Sequence, residues 1–147
     1  MPISDWNNSV NSLVYTAENQ VFPPRTTTWT RSGISPTNNQ TDTYIQAYCD
    51  GNTYTNNQMS TVLNLTGVNT IVFNAVLAKP SGGNGTGAVT LDAIVYTELG
   101  SARGVWCPNG TYELNVSDLL GNHTLYLCVW GSTLVPTQLT LYSLILK

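Results

Sequence analysis

Apolar and polar side chains alternate with a period of two along most of the chain from residue 43 onward, and most sharply within TYELNVSDLLGNHTLYLCVWG, residues 111–131. In residues 122–130, Leu125, Leu127 and Val129 fall on one face and Thr124, Tyr126, Cys128 and Trp130 on the other. That is the spacing of a strand with one face on a core. Residues 111–116 alternate likewise, and Ser117-Asp118-Leu119-Leu120-Gly121 reads as one tight helical turn closed by a glycine able to take positive φ. The unit is strand, turn, strand, and the rest of the chain supplies partners for its apolar face.

The same period predicts a strand over 43–49, with Tyr44, Gln46 and Tyr48 opposite Ile45, Ala47 and Cys49, and another over 59–65. Residues 70–79 carry Ile71, Phe73, Ala75 and Leu77 in phase but also Val72 and Val76 out of phase, which predicts a strand with neighbours on both sides. A strand over 88–97 turns Val89, Leu91, Ala93 and Val95 inward and Thr90, Asp92, Ile94 and Tyr96 outward. A short strand over 104–107 and a final one over 137–146 complete the set, the last apolar enough to lie inside a sheet. Between them fall a polar loop at 31–42, a loop tip at 50–58 presenting Tyr54 among amides, a glycine-rich loop at 80–87, a turn at 98–103 and a hairpin-type turn at 108–110. Residues 26–30 are strongly β-prone. Residues 1–25 are mixed, with one short strand expected near 12–16 and Pro23-Pro24 favouring an extended passage.

No window has a period of 3.6 and no repeat is visible, so the pattern predicts an all-β chain: a two-sheet antiparallel jelly-roll β-sandwich over 26–147 with an irregular N-terminal arm over 1–25. A length of 147 residues suits one such domain.

Charged residues make up 9% of the chain, against about 25% in ordinary domains, while the apolar fraction of 41% is normal. The polarity is carried by amides and hydroxyls. The combination argues against disorder, which requires low hydrophobicity with high charge. A net charge of −3 with five Lys and Arg argues against a nucleic-acid partner. No apolar run approaches membrane-spanning length, and MPISDWNNSVNSL lacks the basic and apolar regions of a secretory signal, so a soluble chain starting at its own Met is expected. The three cysteines, Cys49, Cys107 and Cys128, read as small buried hydrophobes, with a single disulfide as the alternative.

The residues at 59–73 (MSTVLNLTGVNTIVF), 116–127 (VSDLLGNHTLYL) and 139–144 (LTLYSL) resemble the frame of the galactose-binding-like jelly roll. That frame runs from a strand through an L-T-G turn to a central strand, then through a D-L-x-G turn to the penultimate strand. The resemblance covers the pattern of residues 43–147. It implies a module of the kind found in carbohydrate-binding domains and in small bacteriophage tail or capsid appendages, with ligand sites in end loops or on a concave sheet face.

Saccharides present C–H patches ringed by hydroxyls, so a site for them needs a flat aromatic beside hydrogen-bonding amides or charges. Trp106 with Arg103 and Asn109, and Tyr54 with Asn56, have that composition in predicted loops, and Trp130 with Tyr126 forms a second candidate on the outer face of one strand. Closure of the core or packing against another subunit is the competing reading for either tryptophan. Asp92 has no clustered acids to share a calcium ion with, and reads as a solvated side chain. His123 has neither a nucleophile motif nor paired carboxylates beside it, so no catalytic residue, metal or cofactor is expected. The expectation is a non-catalytic phage tail or capsid protein on the virion surface that contacts host glycan and docks onto other virion proteins through its N-terminal arm. It is expected to assemble as a homotrimer through the outer residues Ile94, Tyr126, Trp130 and Leu144. A stand-alone, extracellular carbohydrate-binding module or lectin is the alternative.

Overall fold

The computed structural model describes residues 44–50, 56–81, 83–132 and 135–147, together with the backbone pairing of 19–20, 30–33 and 39–40. Every regular element among the described residues is a strand: β1 (Asn19–Gln20), β2 (Thr30–Gly33), β3 (Asn39–Gln40), β4 (Ile45–Cys49), β5 (Asn56–Asn64), β6 (Thr70–Ala78), β7 (Gly85–Leu91), β8 (Arg103–Trp106), β9 (Asn109–Asn115), β10 (Asn122–Gly131) and β11 (Thr137–Leu146). They form two antiparallel sheets. Sheet A has the order β3-β4-β11-β6-β9, with β1 also on β11, and sheet B the order β2-β5-β10-β7-β8. From β4 to β11 the chain changes sheet at every connection except β7 to β8, which remain side by side. This is the strand order of a jelly roll.

Period-two alternation places the core between the sheets. Sheet A contributes Ile45, Ala47, Cys49, Ile71, Phe73, Ala75, Leu139 and Leu141, and sheet B contributes Met59, Leu63, Val89, Leu91, Leu125, Leu127 and Val129. Phe73 is fully buried and stacks at 5.8 Å on Tyr112, its cross-strand neighbour on β9. Gly87 of β7 lets the sheets approach closely: a Cβ there would lie 2.7 Å from Leu77 Cδ1 of the facing sheet and 3.0 Å from the Cys128 carbonyl oxygen, so a larger residue requires Leu77 to move. As expected, β6 and β11 each have neighbours on both sides.

Several expectations are corrected. The loops expected at 50–58 and 80–87 give their last residues to strands, 56–58 to β5 and 85–87 to β7. The polar stretch 31–42 contains most of β2, paired with β5, and all of β3, paired with β4. The strand predicted over 88–97 stops at Leu91, because Asp92 adopts φ 61° and turns the chain out of the sheet. Residues 108–110 do not close a hairpin. Cys107, at φ 47°, donates its amide to Gly87 of sheet B, whereas the next residue, Pro108, accepts from the Leu77 amide of sheet A, so the chain changes sheets across one peptide. Finally, β11 carries one extra residue at a bulge between Leu141 and Ser143. The bulge shifts the inward set from Leu139 and Leu141 to Leu144 and Leu146. Leu144 is thus a core residue and not the outer one expected, while Tyr142 is exposed and meets Tyr44 edge-on at 6.5 Å.

Asn19–Gln20 pair with Ile145 and Leu146, joining that part of the predicted arm to sheet A. The strand expected near 12–16, and Tyr54, lie outside the described residues.

Candidate functional site

The outer face of sheet B is the surface where the sequence-selected aromatics converge. Register fixes which residues share it. Cys128 lies opposite Gln58 and Ala88, and Ala88 opposite Trp106; Tyr126 lies opposite Ser60 and Thr90; Trp130 lies opposite Asn56 and Thr86. Directly paired residues in an antiparallel ladder project to the same side. Trp106, Tyr126 and Trp130 therefore share a face, each half-buried, with the amides and hydroxyls of Asn56, Gln58 and Thr86 around them. The two aromatic candidates, separate in sequence, belong to one surface, and Asn56 sits beside Trp130.

Part of this face is roofed by the chain itself. After Asp92 turns out of β7, residues 93–96 cross back over the sheet: the Thr90 hydroxyl donates to the Ala93 carbonyl at 2.5 Å and the Thr86 hydroxyl to the Tyr96 carbonyl at 2.5 Å. The Tyr96 phenol donates to Gln58 Oε1, fixing the roof to β5. Beneath it Ala88, Thr90 and Cys128 are fully buried although they lie on the side of sheet B away from the main core. Burial pushes the Tyr96 phenol up to about 12, with the Cys128 charge adding to it, and burial also pushes the Cys128 thiol up. Ile94, expected on the outer side of a strand, is instead on this roof and 45% exposed.

Arg103 and Asn109 are not beside Trp106 on that face. Strand alternation sets Arg103 with Val105, which packs on the core, and opposite in phase to Trp106. Its guanidinium forms a two-pronged pair with Asp118, at 2.7 and 2.9 Å, and also reaches the Asn115 carbonyl at 3.3 Å. This pair ties β8 to the turn between β9 and β10. The hydrogen bond from Arg103 lowers the Asp118 carboxyl to about 2 and raises the guanidinium in return. Asn109 opens β9 in the other sheet, where its amide donates to the Tyr112 hydroxyl at 2.8 Å.

The same end of the sandwich holds a pairing that no sequence pattern signals. His123 Nδ1 lies 2.5 Å from Asp92 Oδ2, and His123 Nε2 lies 3.0 Å from the Leu120 carbonyl oxygen. Asp92 also accepts the Thr124 amide at 2.9 Å through Oδ1 while its own amide donates to the Thr124 carbonyl at 2.7 Å. Asp92 is exposed, as expected, but it is a hydrogen-bonded corner of the fold and not a strand residue. The hydrogen bond to Asp92 raises the imidazole above its ordinary value, and the Leu120 carbonyl adds to this. Burial pushes the Asp92 carboxyl upward, but the bonds from His123 and the Thr124 amide outweigh it and hold the group below its usual range. Thirty-one residues separate the two side chains, so no local motif could signal the pair.

Cys49 is buried in the core between the sheets, and Cys107 is partly exposed at the change of sheet. Among the described residues no three His, Cys, Asp or Glu side chains group as a metal site, and no helix is long and apolar enough to cross a membrane.

No protein-family model matches the chain, and no curated protein matches it. The fold defines its class as an antiparallel two-sheet β-sandwich of jelly-roll order.

Proposed function

We propose that this chain is a non-catalytic structural protein of a phage virion, a tail or capsid appendage that assembles as a homotrimer and contacts host-surface glycan. The observation that carries the reading is the outer face of sheet B, where Trp106, Tyr126 and Trp130 stand half-exposed among amides and hydroxyls on a rigid sheet. Aromatic planes with uncharged hydrogen-bonding neighbours suit both contact between subunits and stacking on sugar rings. The uncharged composition and the galactose-binding-like frame support the same reading. In it, Tyr126, Trp130 and the exposed Ile94 meet a second copy, Trp106 at the β8 edge stays open to saccharide, and the N-terminal segment docks on another virion protein. Both ring nitrogens of His123 are already engaged, which supports a non-catalytic role.

Light scattering on the purified protein is expected to give three times the 15.9 kDa chain mass, and Trp130→Ala to shift it toward the monomer. A wild-type monomer at micromolar concentration would overturn the assembly. Glycan-array binding is expected to disappear in a folded Trp106→Ala variant while the oligomer persists. A stand-alone carbohydrate-binding module is favoured instead if glycan binding is found in a chain that remains monomeric.

A further inference from the structure

His123 is the single histidine of the chain, and its surroundings are those of a fastener. One nitrogen meets the Asp92 carboxylate and the other meets the Leu120 carbonyl oxygen; both partners are acceptors. A neutral imidazole has one N–H and can donate to only one of them, whereas the imidazolium donates to both. The charged groups around the ring are Asp92 at the end of β7, Arg103 at the start of β8 and Asp118 in the turn before β10, with Arg103 itself held by Asp118. Asp92 is also where the chain leaves β7 to form the roof over Ala88, Thr90 and Cys128.

We propose that His123 and Asp92 form a protonation-controlled clasp that holds the roof segment, residues 93–96, down on the outer face of sheet B. With the imidazolium in place, the Leu120 turn, the ring and the Asp92 corner form one hydrogen-bonded chain, and the roof starts from a fixed point. When His123 loses its proton one of the two bonds is lost. Whichever bond the neutral ring keeps, Asp92 loses the attraction of the imidazolium charge, and the Thr124 bonds carry more of the task of holding it at its φ of 61°. The roof retains its bonds through Thr86, Thr90 and Tyr96, so it loosens from the Asp92 end.

The imidazole is raised above its ordinary 6.5, so the clasp is complete below that value and is lost as the pH rises through the raised one. On the acid side Asp92 is held below 3.8, and the clasp is lost only as the pH falls through that lowered value. The predicted closed range therefore runs from the lowered Asp92 value up to the raised His123 value, and the clasp opens as the pH rises past the latter. Any effect of this opening on saccharide or subunit contact rests on the reading of the sheet B face given above; the clasp itself does not.

The test is an NMR titration of the full chain, following the His123 ring nitrogens together with amide shifts and protection factors for Ala93, Ile94, Val95 and Tyr96. The expected result is a His123 midpoint above 6.5 and roof amides that shift and lose protection with that same midpoint. Asp92→Asn keeps a residue that tolerates positive φ and an oxygen to accept the Thr124 amide, while the carboxylate oxygen facing His123 Nδ1 is replaced by an uncharged NH2 that cannot accept from it. It is expected to lower the His123 midpoint and abolish the coupled change in the roof. His123→Gln, which cannot titrate, is expected to give roof protection that does not vary across that range. Roof amides indifferent to the His123 titration in the wild type, an unchanged midpoint in Asp92→Asn, or a persistent transition in His123→Gln would each overturn the clasp. The same titration in Trp130→Ala, which is expected to shift toward the monomer, separates the clasp from the subunit contact proposed for Ile94: the coupled change is expected to persist there.

Discussion

At the scale of single residues, side chains chosen from the sequence as candidate ligands turn out to have structural partners. The sequence sets Arg103 near Trp106, yet its guanidinium is matched by two carboxylate oxygens of Asp118. Both side chains are substantially exposed, at 36% and 62%, so the pair orients β8 against the β9–β10 turn more than it stabilises the fold. Arg103→Ala is expected to return the Asp118 carboxyl from about 2 toward its ordinary value, as read by carboxyl-carbon NMR. Because a lowered carboxylate stabilises above its unfolded value and ceases to as pH falls through the folded one, the wild type gains from the pair above 3.8 and loses it near 2. Unlike these ion pairs, the aromatic residues could be located from sequence. Alternation alone assigns Tyr126 and Trp130 to the side opposite Leu125, Leu127 and Val129, and register bears it out. Asp92–His123 was invisible for the opposite reason: it joins residues whose proximity is created only when β7 and β10 pair.

At the scale of elements, strands were legible where one face meets the core over a regular ladder, as in β4, β5, β6 and β10. They were not legible where the backbone departs from that ladder. The period-two signal through Ala93 and Val95 is real, but the turn at Asp92 re-aims it, so that the segment packs on the outside of sheet B instead of extending it. Likewise nothing in Trp106-Cys107-Pro108-Asn109 marks the residue at which the chain changes sheet. In β11 an added residue inverts the phase midway, and this makes a direct prediction. Leu144→Ala, removing a fully buried side chain, is expected to cost about 2–5 kcal/mol. Tyr142→Ala, at 49% exposure, is expected to cost under about 1 kcal/mol beyond its edge contact with Tyr44. Urea denaturation of the two variants decides it; equal losses would mean that the bulge does not set the phase in solution.

At the scale of the whole molecule, topology dominates. Sheet A is assembled from strands distant in sequence: Gln46 on β4 donates to Thr140 on β11, 94 residues away. Closing such loops before their contacts form is slow, so refolding is expected in the milliseconds-to-seconds range typical of β-sandwiches, as stopped-flow fluorescence would measure. Sub-millisecond refolding would contradict a transition state that needs the β4–β11 pairing.

The central position of β11 has a further consequence for how the protein is made. Until residues 137–146 emerge from the ribosome, β4 and β6 have no strand between them, and each nascent chain carries two bare hydrogen-bonding edges flanking a gap. Translation that stalls or terminates before that point leaves a product unable to close sheet A, prone to pairing with its neighbours on the polysome, and in need of a chaperone to keep those edges apart.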